Sequence, residues 1–377
     1  MSIYDTMIAG IHPESIVPMF TGIQIQNFRS FRSASVSKLK RLNIITGRNA
    51  GGKTSLLEAF FLNAGCANAA LLFSINNFRG DTVVHSETDR VFSTCFSNLD
   101  FRKSVVISVD ERRQHRSRSR VLTITGQTST EVRPGQSRPE TFLSGVKLQF
   151  SGPSGKSSAS AEISFALDPS IQPNAQQSFP IKLTSDPSKD LIFAQFISPY
   201  VQNVYQETYN QLTEVIKNKG VSDIVEILGL IQENVKNLVP LSEVGQPMIY
   251  VDTGADKLLP STVLGAGFFH LLRLALAMSQ LDRGIILIDE LEDGLHYRTF
   301  PRVLGAIIAF LESKTDAQIF IATHSAELID TALQVAAEKQ FDDYCLLNLT
   351  RSDLGPQIRY FGAQEIAFAK ELDAELR

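Results

Sequence analysis

The pattern of apolar and polar positions along the chain predicts two kinds of strand and several helices. Continuous aliphatic runs at 42–45, 284–288 and 319–322 are typical of strands buried on both faces of a parallel sheet. Alternation of apolar and polar residues within 21–35 indicates a strand with one face exposed to solvent. Apolar residues at helical spacing follow the first buried run and recur at 263–278. The predicted fold class is α/β, with a mixed sheet flanked by helices.

The same pattern divides the chain into predicted segments. Residues 91–190 contain short strand-like runs separated by clusters of Ser, Gly, Pro and Thr, which favours an inserted antiparallel β lobe. The stretch after this lobe is helical in pattern. The predicted segments are an N-terminal extension at 1–20, a first lobe at 21–90, the β lobe at 91–190, a helical segment at 191–247 and a second lobe at 248–377.

A glycine-rich turn joins the first buried strand to the helix after it. Residues 47–54 read GRNAGGKT, which fits the phosphate-loop pattern G-x-x-x-x-G-K-[ST] between a strand and a helix. Backbone N–H groups of such a loop, together with the positive end of the helix dipole, bind phosphate. Lys53 is predicted to neutralise the β- and γ-phosphates, and Thr54 to hold Mg²⁺. The predicted nucleotide contacts in this loop are Gly47, Arg48, Asn49, Ala50, Gly51, Gly52, Lys53, Thr54 and Ser55.

Polar residues end the other two buried strands. Because ligands of parallel sheets bind beyond the carboxyl ends of the strands, Asp289, Glu290 and His324 are candidates for one site. Asp289 is predicted to hold Mg²⁺, directly or through water, and Glu290 to act as general base on the attacking water. His324 is a candidate for a hydrogen bond to the γ-phosphate. Taken singly, each residue has a structural alternative, a strand-end cap or a satisfied core histidine.

Two close glycines open the apolar helix that precedes the acidic strand. The N-terminus of a helix entered through glycine offers free N–H groups to a phosphate. Since the phosphate loop already covers one side of the γ-phosphate, Gly265, Ala266 and Gly267 are predicted to bind the nucleotide of a second copy of the chain. The alternative is a buried helix with a glycine-containing entry turn.

Composition restricts the classes of partner. The net charge of −4 over 377 residues argues against attraction of nucleic acid by the whole surface, but not by a local patch. Scattered Cys66, Cys95 and Cys345 are expected to be free thiols in a reducing compartment. No secretory signal and no apolar run long enough to span a bilayer are visible, so the expectation is a cytoplasmic protein without membrane contact.

One basic run stands out within the predicted β lobe, at 111–120. The simpler interpretation is a solvated hairpin tip, and the alternative is a contact for a phosphate backbone or an acidic protein partner. No aromatic residues are interleaved to stack on bases. The arginines concerned are Arg112, Arg113, Arg116, Arg118 and Arg120.

Taken in order, these motifs resemble an ABC-type ATPase head of the SMC and OLD (overcoming lysogenization defect) group. LGAG at 264–267 stands at the signature position, LIDELEDGLH at 287–296 joins Walker B to the D-loop, and ATHS at 322–325 carries the switch histidine. The resemblance implies ATP and Mg²⁺, a contact between the 27–31 stretch and the nucleotide through Arg29, and Gln195 as the candidate Q-loop metal ligand. Gly265 replaces the usual signature serine.

The resemblance also implies how such a chain works. It is expected to bind and slowly hydrolyse ATP and to form an ATP-dependent homodimer or higher homo-oligomer. A hook-bearing coiled coil and a Toprim nuclease motif are both missing from the sequence. The chain is therefore similar to short, nuclease-free members, several of which resemble the ATPase subunit of anti-phage defence systems such as PARIS. These members respond to a trigger, here expected to be a phage protein, and control a separately encoded effector, often a Toprim-type nuclease.

Two other functions stay open from the sequence. A DNA-repair or recombination ATPase would grip DNA through the basic run. The motor subunit of a membrane transporter would be expected to carry a serine in its signature and a clearer Q-loop, and it has no evident use for a long β lobe.

Overall fold

The structure, a computed structural model, describes most of the chain and divides it into two compact units. Unit 1 comprises the described parts of 1–39, 49–193 and 349–360, and unit 2 those of 40–48, 194–348 and 361–377. All but the last two residues of the predicted extension at 1–20 lie outside the described residues. Those described are 19–80, 88–113, 116–131, 139–153, 158–165, 181–183, 190–199, 204–230, 232–243, 246–352 and 355–366.

Unit 1 is built on an antiparallel sheet with the order β2-β1-β4-β5-β6-β7-β8. Alternation predicts the first strand correctly, because Ile23 and Ile25 are buried and Gln24 between them is exposed. The sheet crosses the predicted boundary at 90/91, since β1 pairs with β4. Its strands are β1 (Met19–Phe28), β2 (Phe31–Ser37), β4 (Val105–Arg113), β5 (Arg116–Glu131), β6 (Glu140–Ser151), β7 (Ser158–Ser164) and β8 (Ile181–Leu183).

Helix α1 (Lys53–Ala64) is almost entirely buried, and it is joined to the sheet by a polar network at its C-terminal end. Arg120, on β5, is 1% exposed and donates to the Asn63 side-chain oxygen at 3.1 Å and to the Asp190 carbonyl at 2.7 Å. Its guanidinium also lies 3.5 Å from the Glu111 carboxylate. A buried charge requires such partners. Arg120 therefore holds the C-terminal end of helix α1 in place through these bonds. This corrects the inclusion of Arg120 in the predicted basic run.

Two short helices follow α1 in unit 1, α2 (Ala70–Asn77) and α3 (Thr88–Ser93).

The cysteines of the chain are free thiols, as predicted, and all three are buried. Burial raises the pKa of Cys66 to about 11 and that of Cys345 to about 12. Because the thiolate is the reactive form, these groups are chemically inert near neutral pH.

The second sheet has the order β16-β15-β3-β14-β13-β9, and its four consecutive strands from β3 to β9 are parallel. The aliphatic runs predicted as buried strands are three of these four, and their residues are buried throughout β13 and β14. The strands are β3 (Leu42–Gly47), β9 (Ala194–Ile197), β13 (Gly284–Asp289), β14 (Ala317–Ala322), β15 (Tyr344–Ser352) and β16 (Gly355–Gly362).

Helices and a small antiparallel sheet complete unit 2. The small sheet contains β10 (Asn237–Glu243), β11 (Gln246–Asp252) and β12 (Leu259–Pro260). The helices are α4 (Val204–Lys217), α5 (Val221–Leu228), α6 (Ala266–Gln280), α7 (Phe300–Ser313) and α8 (Ala326–Glu338). Within the described ranges, none of the helices is long and apolar enough to cross a bilayer.

Helix α6 buries a histidine that affects stability. His270 is 5% exposed, and burial, reinforced by the positive charge of Arg273, lowers its pKa to about 3. The unfolded chain binds a proton at this residue below its ordinary pKa of about 6.5. Between these two values the unfolded state holds more protons, so the free energy of unfolding falls as the pH falls.

We therefore expect wild-type protein to lose about 2 kcal/mol more stability than His270→Leu between pH 7 and pH 5, from the linkage of the two pKa values. Urea unfolding curves at both pH values measure the difference. The control is His296→Gln, because His296 is exposed. Equal losses in wild type and His270→Leu would contradict the buried, neutral histidine.

Candidate functional site

The candidate site lies along one edge of the parallel sheet of unit 2. Strand register places Ile45 opposite Ala322, and Ala322 opposite Asp289. The bonds continue past the strands, since the Thr323 N–H donates to the Ile45 carbonyl at 3.0 Å and the Glu290 N–H to the Ala322 carbonyl at 2.9 Å. The start of the phosphate loop, the acidic pair and the segment with His324 therefore leave the sheet side by side, at the edge where such sheets bind ligands.

The phosphate loop has the backbone that its glycines permit. Gly47 has φ 138°, Ala50 φ 58° and Gly52 φ 97°. A Cβ at Gly52 would lie 2.9 Å from the Ser30 hydroxyl oxygen, so the position excludes other residues both by conformation and by space. Helix α1 begins directly afterwards at Lys53, with no acidic residue in its first turn. Its positive dipole end is thus available to an anion.

Behind the loop, unit 1 holds a buried charge network around Glu58. The Glu58 carboxylate is completely buried and accepts hydrogen bonds from Arg29 at 3.1 Å and from Arg79 at 2.6 Å. Arg79 also donates to the Ser55 hydroxyl at 3.1 Å. The first turn of helix α1 is therefore fixed from behind by a carboxylate between two guanidinium groups.

Arg29 belongs to this network and is not free to contact a nucleotide. Its side chain is 6% exposed, and it donates to Glu58, to the Thr94 hydroxyl at 2.6 Å and to the Asn76 side-chain oxygen at 3.0 Å. The prediction of Arg29 as a nucleotide contact is therefore corrected. The partners of the guanidinium lie on α1 (Glu58), on α2 (Asn76) and directly after α3 (Thr94), and the sequence pattern could not identify them.

The two carboxylates after β13 have different environments. Asp289 is 5% exposed, whereas the side chain of Glu290 is 42% exposed and its backbone is left-handed, with φ 55°. The left-handed conformation turns the chain sharply between neighbouring residues. A buried aspartate beside an accessible glutamate is the arrangement expected of a metal ligand next to a general base.

Glu292 orients His324, and no sequence motif assigned it this role. Its Oε1 accepts hydrogen bonds from the Thr323 hydroxyl at 2.7 Å, the His324 N–H at 2.9 Å and the Ser325 N–H at 3.1 Å. His324 Nδ1 lies 3.1 Å from the same oxygen and 3.9 Å from Glu290 Oε1. The ring of His324 is therefore oriented through Nδ1.

The donor set fits magnesium held largely by a nucleotide. Among the described residues no group of three or more His, Cys, Asp or Glu side chains is placed to hold a metal ion. Mg²⁺ in phosphate-transfer sites is typically bound by one or two protein oxygens together with phosphates and waters. Thr54 in unit 1 offers a hydroxyl and Asp289 in unit 2 offers a carboxylate, and each by itself is a ligand type that fits the ion.

Gln195 does not fit the metal site in this structure. It lies within β9 opposite Ile286, three residues before the level of Asp289 along the neighbouring strand. Its side chain is 3% exposed and donates to the Gln280 side-chain oxygen at 3.2 Å. Three residues of strand correspond to roughly 10 Å, beyond the reach of a glutamine side chain. Gln195 is therefore not positioned to bind a metal ion beside Asp289.

The glycine-opened helix α6 packs against the loop that follows the acidic strand. Gly265 has φ 89°, and a Cβ there would meet no atom within 4 Å, so only its backbone conformation requires glycine. A Cβ at Gly267, in contrast, would lie 2.0 Å from the Gly294 carbonyl oxygen. The first turn of α6 contains no acidic residue, and Gly265 and Ala266 are exposed. The positive end of this helix is thus accessible at Gly265 and Ala266, and its contact with a nucleotide stays a prediction.

Known proteins resemble the chain over almost its whole length. An "ATP/GTP phosphatase" of Helicobacter pylori is 24% identical over 383 residues, covering 92% of this chain and 99% of that protein. The DNA replication and repair protein RecF of Shewanella frigidimarina is 34% identical over 140 residues, but this match covers only 35% of the chain and 34% of RecF. A solved Smc head domain from Pyrococcus furiosus, 11% identical, superposes with a TM-score of 0.51 over 94% of this chain and 100% of that one.

The likeness to the Smc head concerns the fold, and it confirms the predicted class, an α/β head with mixed sheets flanked by helices. The family model described as "AAA domain, putative AbiEii toxin, Type IV TA system" matches residues 42–330, from the strand before the phosphate loop to the helix after His324. The chain belongs to this AAA-domain family.

Proposed function

We propose that this protein binds Mg²⁺–ATP, hydrolyses it slowly, and uses the change between bound states as a switch. The observation that carries the proposal is the common edge of the parallel sheet, which brings together the start of the phosphate loop, the Asp289–Glu290 pair and His324. The name of the Helicobacter pylori relative, a nucleotide phosphatase, supports the same chemistry.

Each group has a distinct role in this proposal. Lys53 and the backbone N–H groups of residues 47–55 bind the phosphates. Thr54 and Asp289 hold the magnesium ion, which when bound neutralises charge on the phosphate oxygens. Glu290 accepts a proton from the attacking water, for which its exposed carboxylate is suited. His324, held at Nδ1 by Glu292, contacts the γ-phosphate through Nε2.

The site is completed in this proposal by a second copy of the chain. Gly265 and Ala266 are exposed at the positive end of α6, while the phosphate loop of the same chain covers only one side of its own γ-phosphate. ATP bound between two copies would favour the closed dimer by its differential affinity for that state. Hydrolysis removes the bridging γ-phosphate and so releases the dimer.

The switch is proposed to control a separate effector in anti-phage defence. The family description refers to a putative toxin and to a toxin–antitoxin system, which supports a role in conflict between cell and phage. A phage protein as the trigger and a separately encoded nuclease as the effector are the finer parts of this proposal.

Replacing the general base tests the catalytic and the dimer proposals together. Glu290→Gln should bind ATP but hydrolyse it at least about a hundredfold more slowly, within the range of general-base contributions. Trapped ATP should then shift gel filtration of this variant to the dimer. Lys53→Ala is the matched control, because without the lysine ATP should neither bind nor change the elution volume.

An unchanged elution volume for Glu290→Gln at saturating ATP would count against the dimer. Unchanged calorimetric ATP affinity in Lys53→Ala would count against the phosphate loop as the binding site.

Glu292 gives a second test, because it acts through His324. Glu292→Gln keeps the size of the side chain but removes the charge that orients Nδ1 and two backbone N–H groups. We expect kcat to fall about tenfold, the equivalent of one charge-assisted hydrogen bond, with little change in ATP affinity. Steady-state ATPase kinetics and calorimetry measure the two quantities. Exposed Glu312→Gln serves as control, and an unchanged kcat in Glu292→Gln would remove the assigned role.

A second candidate function, DNA binding as in repair or recombination ATPases, is favoured by the local likeness to RecF. Arg112 is exposed and Arg118 half-buried on the β4–β5 hairpin, whereas Arg120 is buried and unable to contact DNA. The side chains of Arg113 and Arg116 lie outside the described part of the chain.

The DNA candidate predicts duplex affinity that falls steeply with salt. Arg112→Gln together with Arg118→Gln should weaken binding and reduce the slope of log K against log salt by about 2, the release of two counterion contacts. Fluorescence anisotropy across a salt series measures this slope. Lys217→Gln, an exposed charge on another element, is the control. Binding that is absent, or insensitive to the two arginines, would reject this candidate.

A further inference from the structure

A cavity of about 250 Å³ lies within unit 2, beside the first turns of helix α6. Its walls are partly aromatic and partly polar, which distinguishes it from an apolar packing defect. Such a mixture, with few polar groups among apolar walls, is typical of small-molecule sites. The residues that line the cavity include Pro199, Tyr205, Phe269, His270, Arg273 and Asp293.

One nitrogen of His270 is buried without a partner, and this indicates a binding site for a ligand. Its side chain is 5% exposed, and the Nε2 atom is buried without a hydrogen-bond partner. Burial and the neighbouring Arg273 lower the pKa of His270 to about 3, so the ring is neutral near pH 7. A neutral imidazole carries one donor and one acceptor nitrogen. Because an unsatisfied buried polar atom destabilises the protein, a partner at Nε2 is favoured.

The charges of the lining favour an uncharged ligand. Arg273 is 8% exposed and donates to the Ser198 carbonyl at 2.6 Å, so its position in the wall is fixed. Asp293 contributes one negative charge at the exposed side of the cavity. Glu207 also interacts with Arg273, although burial raises the pKa of its carboxyl. Since acidic groups offset the single cation, neither an anion nor a cation is preferred.

The aromatic walls favour a planar ligand. The rings of Tyr205 and Phe269 are parallel within 3°, with centroids 5.4 Å apart. Tyr205 is held in place, because its hydroxyl accepts from the Ile249 N–H at 2.8 Å. Aromatic faces that are rigidly placed stack well on flat rings. For scale, an apolar cavity of ~150 Å³ in another protein holds one benzene molecule.

We propose that this cavity binds an uncharged heteroaromatic molecule, of one ring or two fused rings, through a hydrogen bond to His270 Nε2. No residue of the phosphate loop lines the cavity, whereas Gly265 and Ala266, which are proposed above to contact the nucleotide of a second copy, do line it. The ring site itself does not require ATP hydrolysis. A ring with both a donor and an acceptor nitrogen satisfies either tautomer of the histidine.

The test uses benzimidazole as the probe and indane, which has the same ring size without nitrogen, as its apolar counterpart. Saturation-transfer NMR on the full chain at pH 7.5 should show contact with benzimidazole. Titration should show that indane binds at least about tenfold more weakly than benzimidazole, because indane lacks the one buried hydrogen bond. His270→Leu should reduce benzimidazole affinity to the level of indane. His270→Gln should restore part of it, and His296→Gln should leave it unchanged.

A further arm separates this site from the nucleotide site. Lys53→Ala should bind benzimidazole as wild type does, and loss of the signal in that variant would place the ring in the nucleotide site and overturn the proposal. Absence of transfer in wild type, or equal binding of indane and benzimidazole, would also overturn it. If His270→Leu fails to fold, the comparison of the two probes on wild type and Lys53→Ala still decides.

Discussion

The register between the parallel strands β3, β14 and β13 is the constraint on which the candidate site depends. It places Ile45, Ala322 and Asp289 at one level, so that three separate loops begin side by side. A parallel pair shifted by one residue would turn each strand's core face to the other side. The complete burial of β13 and β14 makes such a shift costly. The geometry of the candidate site is thus a consequence of packing an aliphatic sheet.

Two carboxylates, one buried and one largely covered, then hold segments next to the candidate site. Glu58 lies between Arg29 and Arg79 behind the first turn of α1, and Glu292 gathers the backbone and ring of the switch histidine. In each case one side chain holds several donors from distant parts of the chain. Such supporting groups orient the residues that contact the ligand, and their loss reduces function without removing any contacting group.

Local pattern was sufficient to predict three features: the conformation of the phosphate loop, the buried strands β3, β13 and β14, and the glycine residues at which α6 begins. Each of these rests on spacing within a few residues and on strand or helix periodicity. Glu292, the true partners of Arg29 and the burial of Arg120 could not be predicted in this way. They depend on which distant segments meet, and the pairing of β1 with β4 across the predicted boundary at 90/91 has the same origin. Gln195 shows the converse error, because its residue type suited the role but its strand position did not.

The close packing of Gly267 against Gly294 links the outward-facing end of α6 to the loop after the acidic strand. A nucleotide that engages this helix end from a second copy would therefore be sensed by the segment that also carries Glu292. The most direct measurement is a cryo-EM structure of Glu290→Gln with Mg²⁺–ATP. We expect the Gly267 N–H of one copy within hydrogen-bonding distance, about 3 Å, of a γ-phosphate held by Lys53 of the other. Nucleotide bound at Lys53 with every Gly267 remote from any phosphate would contradict it.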